Sequence, residues 1–276
     1  MERGLYTMNL KGKRALVTGA SSGIGAEMAK LLAARGLNLV ITARRADRME
    51  ALAAEIKAEY AVEVDVLPLD LSATGAALVL YQKTEEAGKE IDVLINNAGF
   101  GIQSHFADCA WERTHQQLQL NIVALSELTW RFMNVMKTRG GGYILNVASI
   151  GAYIPSPYYA AYTAGKAYVR NFTEAVSYEA KASGVKITCL CPGPTDTEFL
   201  TTAGHKDLPA IGKLIFMSAR RCAQIGLSGL FGWRVNIVSG WINRFMMLTL
   251  RLTPRWLMVR IGAFTMGRHT KSEESG

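Results

Sequence analysis

A chain of 276 residues that is 49% hydrophobic and 20% charged buries a large core and is no disordered polymer, and one α/β unit commonly reaches this length. The net charge of +8 has its excess late in the chain, at Arg220, Arg221, Arg234, Arg244, Arg251, Arg255, Arg260 and Arg268, which reads as a solvated basic face or as attraction to anionic lipid, a polyanion or a phosphorylated ligand. Cys109, Cys189, Cys191 and Cys222 form no C-x-x-C pair, and His105, His115, His205 and His269 show no ligand spacing, so a reduced chain without a metal is expected.

Met1 to Leu10 have no long apolar core of the kind a signal peptide needs, and no uncharged apolar run approaches the ~18 residues of a spanning helix. An apolar stretch over 14–18 predicts a strand that runs straight into the glycine turn from Gly19 to Gly25. Ile24, Met28, Leu31 and Leu32 then fall on one face of a helix ending near Gly36. Strand, glycine turn and helix are how a parallel nucleotide-binding sheet opens. A second strand over 37–42, a helix over 47–60, a third strand over 62–69 ending at Asp70 and a helix over 76–88 follow.

A fourth strand over 91–95 stops at Asn96, Asn97, Ala98 and Gly99. Regular alternation of strand and helix, with right-handed crossovers, places helices on both faces of a parallel sheet. The helical stretch over 111–137 reads as one kinked helix or as two. The fifth strand, over 142–148, delivers Ser149 at its carboxyl end, where open parallel sheets bind ligands. A helix over 159–183 carries Tyr162 and Lys166, and a sixth strand over 185–190 leads into a Pro-Gly-Pro turn. The irregular 198–218 suits a lid or substrate loop. A helix over 219–230, a short strand over 235–238 and an apolar, arginine-rich helical region over 242–266 interrupted at Pro254 complete the order, with 268–276 read as a disordered tail.

Three constellations carry chemistry. Gly19, Gly23 and Gly25 allow a sharp turn, close approach to a pyrophosphate and tight helix packing, and the helix start offers free N–H groups to an anion. After the second strand, Ala43 stands where an acid would accept from a ribose hydroxyl, and Arg44 and Arg45 follow, which favours a 2′-phosphate and hence NADP(H) over NAD(H). Tyr162 and Lys166 share one helix face, so the ammonium is expected to lower the phenol's pKa for general acid/base work. Tyr153, Tyr158 and Tyr159 are competing donors, but none has a lysine one turn further on. For Trp233, Trp241 and Trp256, packing or oligomer contact is expected ahead of a greasy pocket wall or an interfacial anchor.

The run from Thr18 to Gly25, Asn96-Asn97-Ala98-Gly99, Asn121, Ser149, Tyr162-x-x-x-Lys166 and Pro192-Gly193 together resemble the short-chain dehydrogenase/reductase family over roughly 10–200. The resemblance implies a doubly wound, Rossmann-like parallel sheet in a single catalytic domain over 10–240, with a basic, apolar extension over 241–276. It implies that Tyr162 is the general acid or base, that Lys166 tunes it and binds the nicotinamide ribose, that Ser149 holds the substrate oxygen, and that Asn121 holds a water linking Lys166 to solvent. For the cofactor it implies Gly19, Ser21, Ser22, Gly23, Ile24 and Gly25 at the phosphates, with Arg44 and Arg45 beside them. Asp70 and Leu71 fall at the adenine, Asn97, Ala98 and Gly99 along the adenosine, and Pro192, Gly193, Thr195 and Thr197 beside the nicotinamide.

The expected activity is hydride transfer between NADP(H) and the carbonyl or secondary alcohol of a hydrophobic ketone, aldehyde, 3-oxoacyl or steroid-like substrate. The expected setting is a cytoplasmic homodimer or homotetramer with no nucleic-acid partner and with peripheral membrane contact through the C-terminal region. The competing reading is a non-catalytic dinucleotide-binding sensor or scaffold at a membrane surface, which has no need of all four of Asn121, Ser149, Tyr162 and Lys166.

Overall fold

The computed structural model describes residues 10–196, 216–250 and 252–267. Strands β1 (Arg14–Thr18), β2 (Asn38–Ala43), β3 (Val64–Pro68), β4 (Val93–Asn96), β5 (Gly142–Val147) and β6 (Val185–Cys191) are followed by a small parallel pair, β7 (Thr195–Asp196) and β8 (Met217–Ser218), and by β9 (Asn236–Val238). Seven of them make one parallel sheet in the order β3-β2-β1-β4-β5-β6-β9. The order reverses between β1 and β4, so a crevice opens beyond the carboxyl ends of those two strands, and the glycine turn and Asn97 to Gly99 stand at its edge.

The strands are apolar on both faces, as a sheet covered from both sides requires. In β1, Ala15 and Val17 join one core with the helices α1 (Gly23–Ala33) and α2 (Ala46–Glu59), while Leu16 between them enters the opposite core. That opposite core is closed by α3 (Ala76–Gln82) and by α5 (Leu125–Thr138), which follows α4 (Trp111–Leu118) in the chain after β4. The helix α6 (Ala160–Glu179) runs between β5 and β6, and α7 (Ala219–Phe231) returns to the first core through Cys222, Ala223, Leu227 and Leu230. Last come α8 (Trp241–Leu250) and α9 (Arg255–Gly267).

The structure resolves one open point and corrects two expectations. The stretch expected as one kinked helix or two is a continuous helical run whose middle, Gln119–Ala124, is π-helical, so the ladder is broken at Asn121 and not by a loop. The helix expected over 76–88 stops at Gln82, because the buried Thr84 hydroxyl donates to the carbonyls of Leu80 and Tyr81 and the chain then turns to a left-handed Gly88. The tryptophans at 233, 241 and 256 do not pack into the fold, since each is exposed, Trp241 at 78%. The lid expected over 198–218 falls outside the described residues except for its end, where Met217–Ser218 is a strand, and the tail over 268–276, His205 and His269 lie outside them as well.

A buried polar ladder joins the sheet to its helices on the α5/α6 side. Asn96 Nδ2 donates to Asn146 Oδ1 (2.9 Å) and Thr129 Oγ1 (3.1 Å), and Asn146 Nδ2 donates to Thr173 Oγ1 (3.1 Å). All four side chains are almost fully buried, so each bond stands in for water that cannot enter. Asn146→Ala removes one acceptor from the Asn96 amide and the donor to Thr173 Oγ1, leaving Asn96 its Thr129 partner and the Thr173 hydroxyl its Val169 carbonyl, and is expected to lower unfolding stability by about 1–3 kcal/mol in urea titration. An unchanged midpoint would contradict the ladder's structural role.

Candidate active site

The turn after β1 is built by backbone freedom and held by a polar clasp. Gly19 sits at φ +67, and a Cβ there would lie 2.8 Å from Ala98 Cα; one on Gly25 would lie 2.4 Å from the Gly19 carbonyl oxygen. No side chain larger than hydrogen fits at either place. Thr18 Oγ1 accepts from the backbone N–H of Asn97 and of Ala98, both at 3.0 Å, and Asn97 Nδ2 donates to the carbonyls of Thr18 (3.0 Å) and Gly19 (3.2 Å). The ends of β1 and β4 are thereby fixed to each other. Asn97 serves this clasp, and Asn96, one residue earlier, serves the buried ladder.

The α1 start, with Ser22 as its N-cap, has no side-chain cap, which leaves its first N–H groups available to an anion. Arg45 reaches across: its Nη2 donates to Ser21 Oγ (3.1 Å) and Ser22 Oγ (3.0 Å). A guanidinium, two hydroxyls and an uncapped helix start at one exposed place form a donor set suited to phosphate oxygens. At the end of β3, Asp70 Oδ1 accepts from the Ser72 N–H (3.0 Å) and Oγ (2.7 Å), which fixes its orientation beside the buried Leu71. This donor set fits the phosphates of a dinucleotide.

Beyond β5, Ser149 Oγ accepts from the Gly151 N–H (3.1 Å) and is hydrogen-bonded to the Tyr162 phenol. A Cβ on Gly151 would stand 3.4 Å from Ser149 Oγ, 3.8 Å from Tyr162 Cε1 and 3.2 Å from Thr163 Cγ2, so this glycine lets the serine and the tyrosine share one small volume. Lys166 is buried, with its Nζ 2.8 Å from the Val147 carbonyl and 5.8 Å from the Tyr162 ring centre. Asn121, in the π-helical turn, donates from Nδ2 to the Phe100 carbonyl (2.8 Å) and accepts at Oδ1 from the Phe100 N–H (3.2 Å). A Cβ on Gly99 would lie 2.9 Å from Asn121 Oδ1 and 3.4 Å from Lys166 Nζ. Asn121, Lys166 and Gly99 therefore converge.

The electrostatics differ from the expectation of a phenol made acidic by its lysine. Burial pushes Tyr162 up to about 12, against which the Ser149 hydrogen bond acts, and the neighbouring Cys191 adds to the rise. Burial likewise brings Lys166 down to about 8, with Cys189 and Cys191 opposing the fall. Desolvation outweighs the cation here because Nζ turns to a backbone carbonyl rather than to the phenol. Two of the other tyrosines are occupied elsewhere, and the third lies beside Tyr162. Tyr153 receives a bond from Asn236 Nδ2 (3.1 Å), Tyr158 packs edge-on against His105, and Tyr159 packs edge-on against Tyr162.

The loop after β6 joins the same site. The Ile150 N–H donates to the Pro192 carbonyl (2.9 Å), Thr195 Oγ1 to the Gly193 carbonyl (2.8 Å), and the Gly193 N–H to Ser239 Oγ (3.0 Å). Thr197 lies outside the described residues, and the structure gives Arg44 no partner role comparable to that of Arg45. Sequence reasoning missed the Cys189/Cys191 pair beside Lys166, Ser239 and Asn243. The i, i+2 spacing of two cysteines on a strand was the one available signal for the first, while Ser239 and Asn243 belong to no motif.

Comparison with known proteins identifies the family and matches the fold. A family model described as short chain dehydrogenase matches residues 13–208. A 7beta-hydroxysteroid dehydrogenase from Collinsella aerofaciens is 29% identical over 242 residues, 86% of this chain and 90% of that protein. A human protein named inactive hydroxysteroid dehydrogenase-like protein 1 is 29% identical over 264 residues, 95% of this chain and 78% of its own length. Among solved structures, a short-chain dehydrogenase from Sphingobium yanoikuyae in complex with NADPH aligns with TM-score 0.78 and 30% identity, covering 86% of this chain and 92% of that one.

The buried Lys166 ammonium makes stability depend on pH. Its folded pKa of about 8 lies below its ordinary 10.5, so between those values the unfolded chain binds more protons and stability rises with pH. Relative to Lys166→Met, the wild-type chain is expected to gain up to roughly 3 kcal/mol of unfolding free energy across that window. Parallel stability curves for the two proteins would contradict the burial of a charged amine.

Proposed function

The chain belongs to the short-chain dehydrogenase family, and we propose that it uses NADP(H) to interconvert a carbonyl compound and its secondary alcohol, with Ser149, Tyr162, Lys166 and Asn121 as its working residues. The observation that carries this reading is the half-buried Ser149 hydrogen-bonded to a buried Tyr162, which lies one helical turn from a buried lysine. When bound, the nicotinamide supplies or accepts the hydride.

In the direction of reduction, negative charge grows on the substrate oxygen, and two hydroxyl donors at that oxygen are what the chemistry needs. The Ser149 hydroxyl, aimed by the Gly151 N–H, orients the oxygen. The Tyr162 phenol, kept protonated by burial, gives it the proton from its Oη. An alkoxide is basic enough to take that proton, so a raised phenol pKa suits a donor at rest. Lys166, still largely protonated at neutral pH, stabilises the phenolate as it forms. Asn121 holds the Phe100 segment against the lysine end of the site.

Arg45 with Ser21 and Ser22 is the proposed seat of the 2′-phosphate, with Arg44 next to it, and the absence of an acid at Ala43 supports the same preference. Gly19, Gly23, Ile24 and Gly25 hold the pyrophosphate, Asp70 and Leu71 the adenine, Asn97 to Gly99 the adenosine side, and Pro192, Gly193, Thr195 and Thr197 the nicotinamide end. A hydrophobic substrate is proposed, supported by the apolar helices next to the site and by a hydroxysteroid dehydrogenase among the relatives. A catalytic unit over 10–240 with an extension over 241–276, a homodimer or homotetramer, and a cytoplasmic setting complete the proposal. Among the described residues no helix is long and apolar enough to cross a membrane. The non-catalytic reading has a relative named inactive in its favour, but the intact set of four polar residues supports catalysis.

Two experiments test the proposal. Tyr162→Phe keeps the fold and is expected to lower ketone reduction, followed by NADPH absorbance, by about 10²–10⁴-fold. Turnover at the wild-type rate would remove Tyr162 from its role. Arg45→Ala is expected to raise KM for NADPH about tenfold while leaving KM for NADH in place; an equal change for both cofactors would count against the 2′-phosphate assignment.

A further inference from the structure

From residue 208 to residue 272 the sequence contains no aspartate or glutamate, although arginines recur at 220, 221, 234, 244, 251, 255, 260 and 268. Within this acid-free stretch, α8 and α9 turn large apolar side chains outward. Trp241, Phe245 and Leu248 follow one another at helical spacing on α8, Leu252 after it is 88% exposed, and Trp256 and Val259 are exposed on α9. The opposite side of α8 is the buried one, where Asn243 and Met247 face the fold. Interleaved with the exposed apolar side chains are Arg244, Arg255 and Arg260, all exposed, and the Arg260 guanidinium lies 5.1 Å from the Trp256 ring centre.

Outward-facing tryptophan, phenylalanine and leucine with flanking arginines and no acid make up the surface of a helix that lies in the headgroup layer of a bilayer. We propose that α8 and α9 dock this enzyme on an anionic lipid surface. Charge decides between that occupant and a second copy of the chain. A two-fold interface sets the patch against itself, and here it would bring arginines onto arginines with no carboxylate in the segment to pair them. Phosphate and carboxylate headgroups supply the missing charge, and each arginine near such a surface strengthens binding about fivefold.

The docking surface is attached directly to the site. Gly262 of α9 lies against the loop between Ser149 and Tyr162: a Cβ there would be 2.9 Å from the Pro155 carbonyl oxygen and 3.2 Å from Ser156 Cα. On α8, Asn243 covers Gly193, where a Cβ would fall 2.0 Å from Asn243 Nδ2. Resting on the proposed oxidoreductase reading, this places the substrate end of the site on the membrane side and makes apolar carbonyl compounds dissolved in lipid its natural substrate class.

The test is flotation of the purified full chain with phosphatidylcholine vesicles, with and without phosphatidylserine, alongside sedimentation of the protein alone and turnover of a small water-soluble ketone. The wild-type chain is expected to float with the anionic vesicles and to be released by salt. The double variant Arg255→Gln/Arg260→Gln should lose more than tenfold of that binding. The double variant Trp241→Ser/Phe245→Ser should lose a similar factor, with ketone turnover and oligomeric state unchanged in both. No flotation of the wild type, or a variant whose main change is dissociation of an oligomer, overturns the docking proposal and assigns the patch to a second copy. Flotation without turnover of any ketone keeps the docking surface and rejects the oxidoreductase reading, so the two failures are separate.

Discussion

An amine buried at the carboxyl end of the sheet sets the terms for this site. Lys166 reaches its place because α6 packs on the carboxyl end of β5, and the Val147 carbonyl at that strand end is the acceptor given to its Nζ. A lysine so placed is hard to keep charged, and its pKa falls. The fall stops near neutrality, which leaves a cation available where a phenol must release and recover a proton. Tyr162 is governed by the same desolvation with the opposite sign, so the resting pair is a protonated phenol beside a cation of reduced pKa. Ser149 completes it, aimed by one backbone N–H and tied to the phenol.

Everything that fixes this pair comes from the sheet. Asn96 and Asn146 lock the ends of β4 and β5 to α5 and α6 through the buried ladder, and Thr18 with Asn97 locks β1 to β4. Adjacent asparagines in one turn thus serve opposite sides of the strand, one structural and one shaping the glycine turn. The π-helical turn at Asn121 has a comparable role: it turns the amide onto Phe100, next to Gly99 and Lys166, without breaking the long helix.

Most of the fold was legible in the sequence because strand and helix differ in apolar period, and each strand ends in a polar or glycine signal. Ser149, Tyr162 and Lys166 were legible as a group because a strand end and one helix face bring them together. Four things were not. The direction of the Tyr162 shift depends on burial and on where Nζ points, neither of which a spacing encodes. The end of α3 depends on the Thr84 hydroxyl turning back on Leu80, a choice that composition does not reveal. The outward face of Trp241 and Trp256 could not be read, because an apolar helix beside a sheet enzyme looks the same whether it faces the core or the surroundings. Ser239 and Asn243, which hold the Gly193 turn from the C-terminal side, belong to no short motif and came to view only through contacts.

The central claim is that Ser149, Tyr162 and Lys166 deliver a proton to the substrate oxygen as hydride from the nicotinamide reaches its carbonyl carbon. Reduction of a hydrophobic ketone with NADPH deuterated at the transferring position of its nicotinamide, read by mass spectrometry of the alcohol, tests it most directly. The account predicts one deuterium on the carbinol carbon. Cofactor binding with no deuterium in any product, across a panel of ketones, would contradict it.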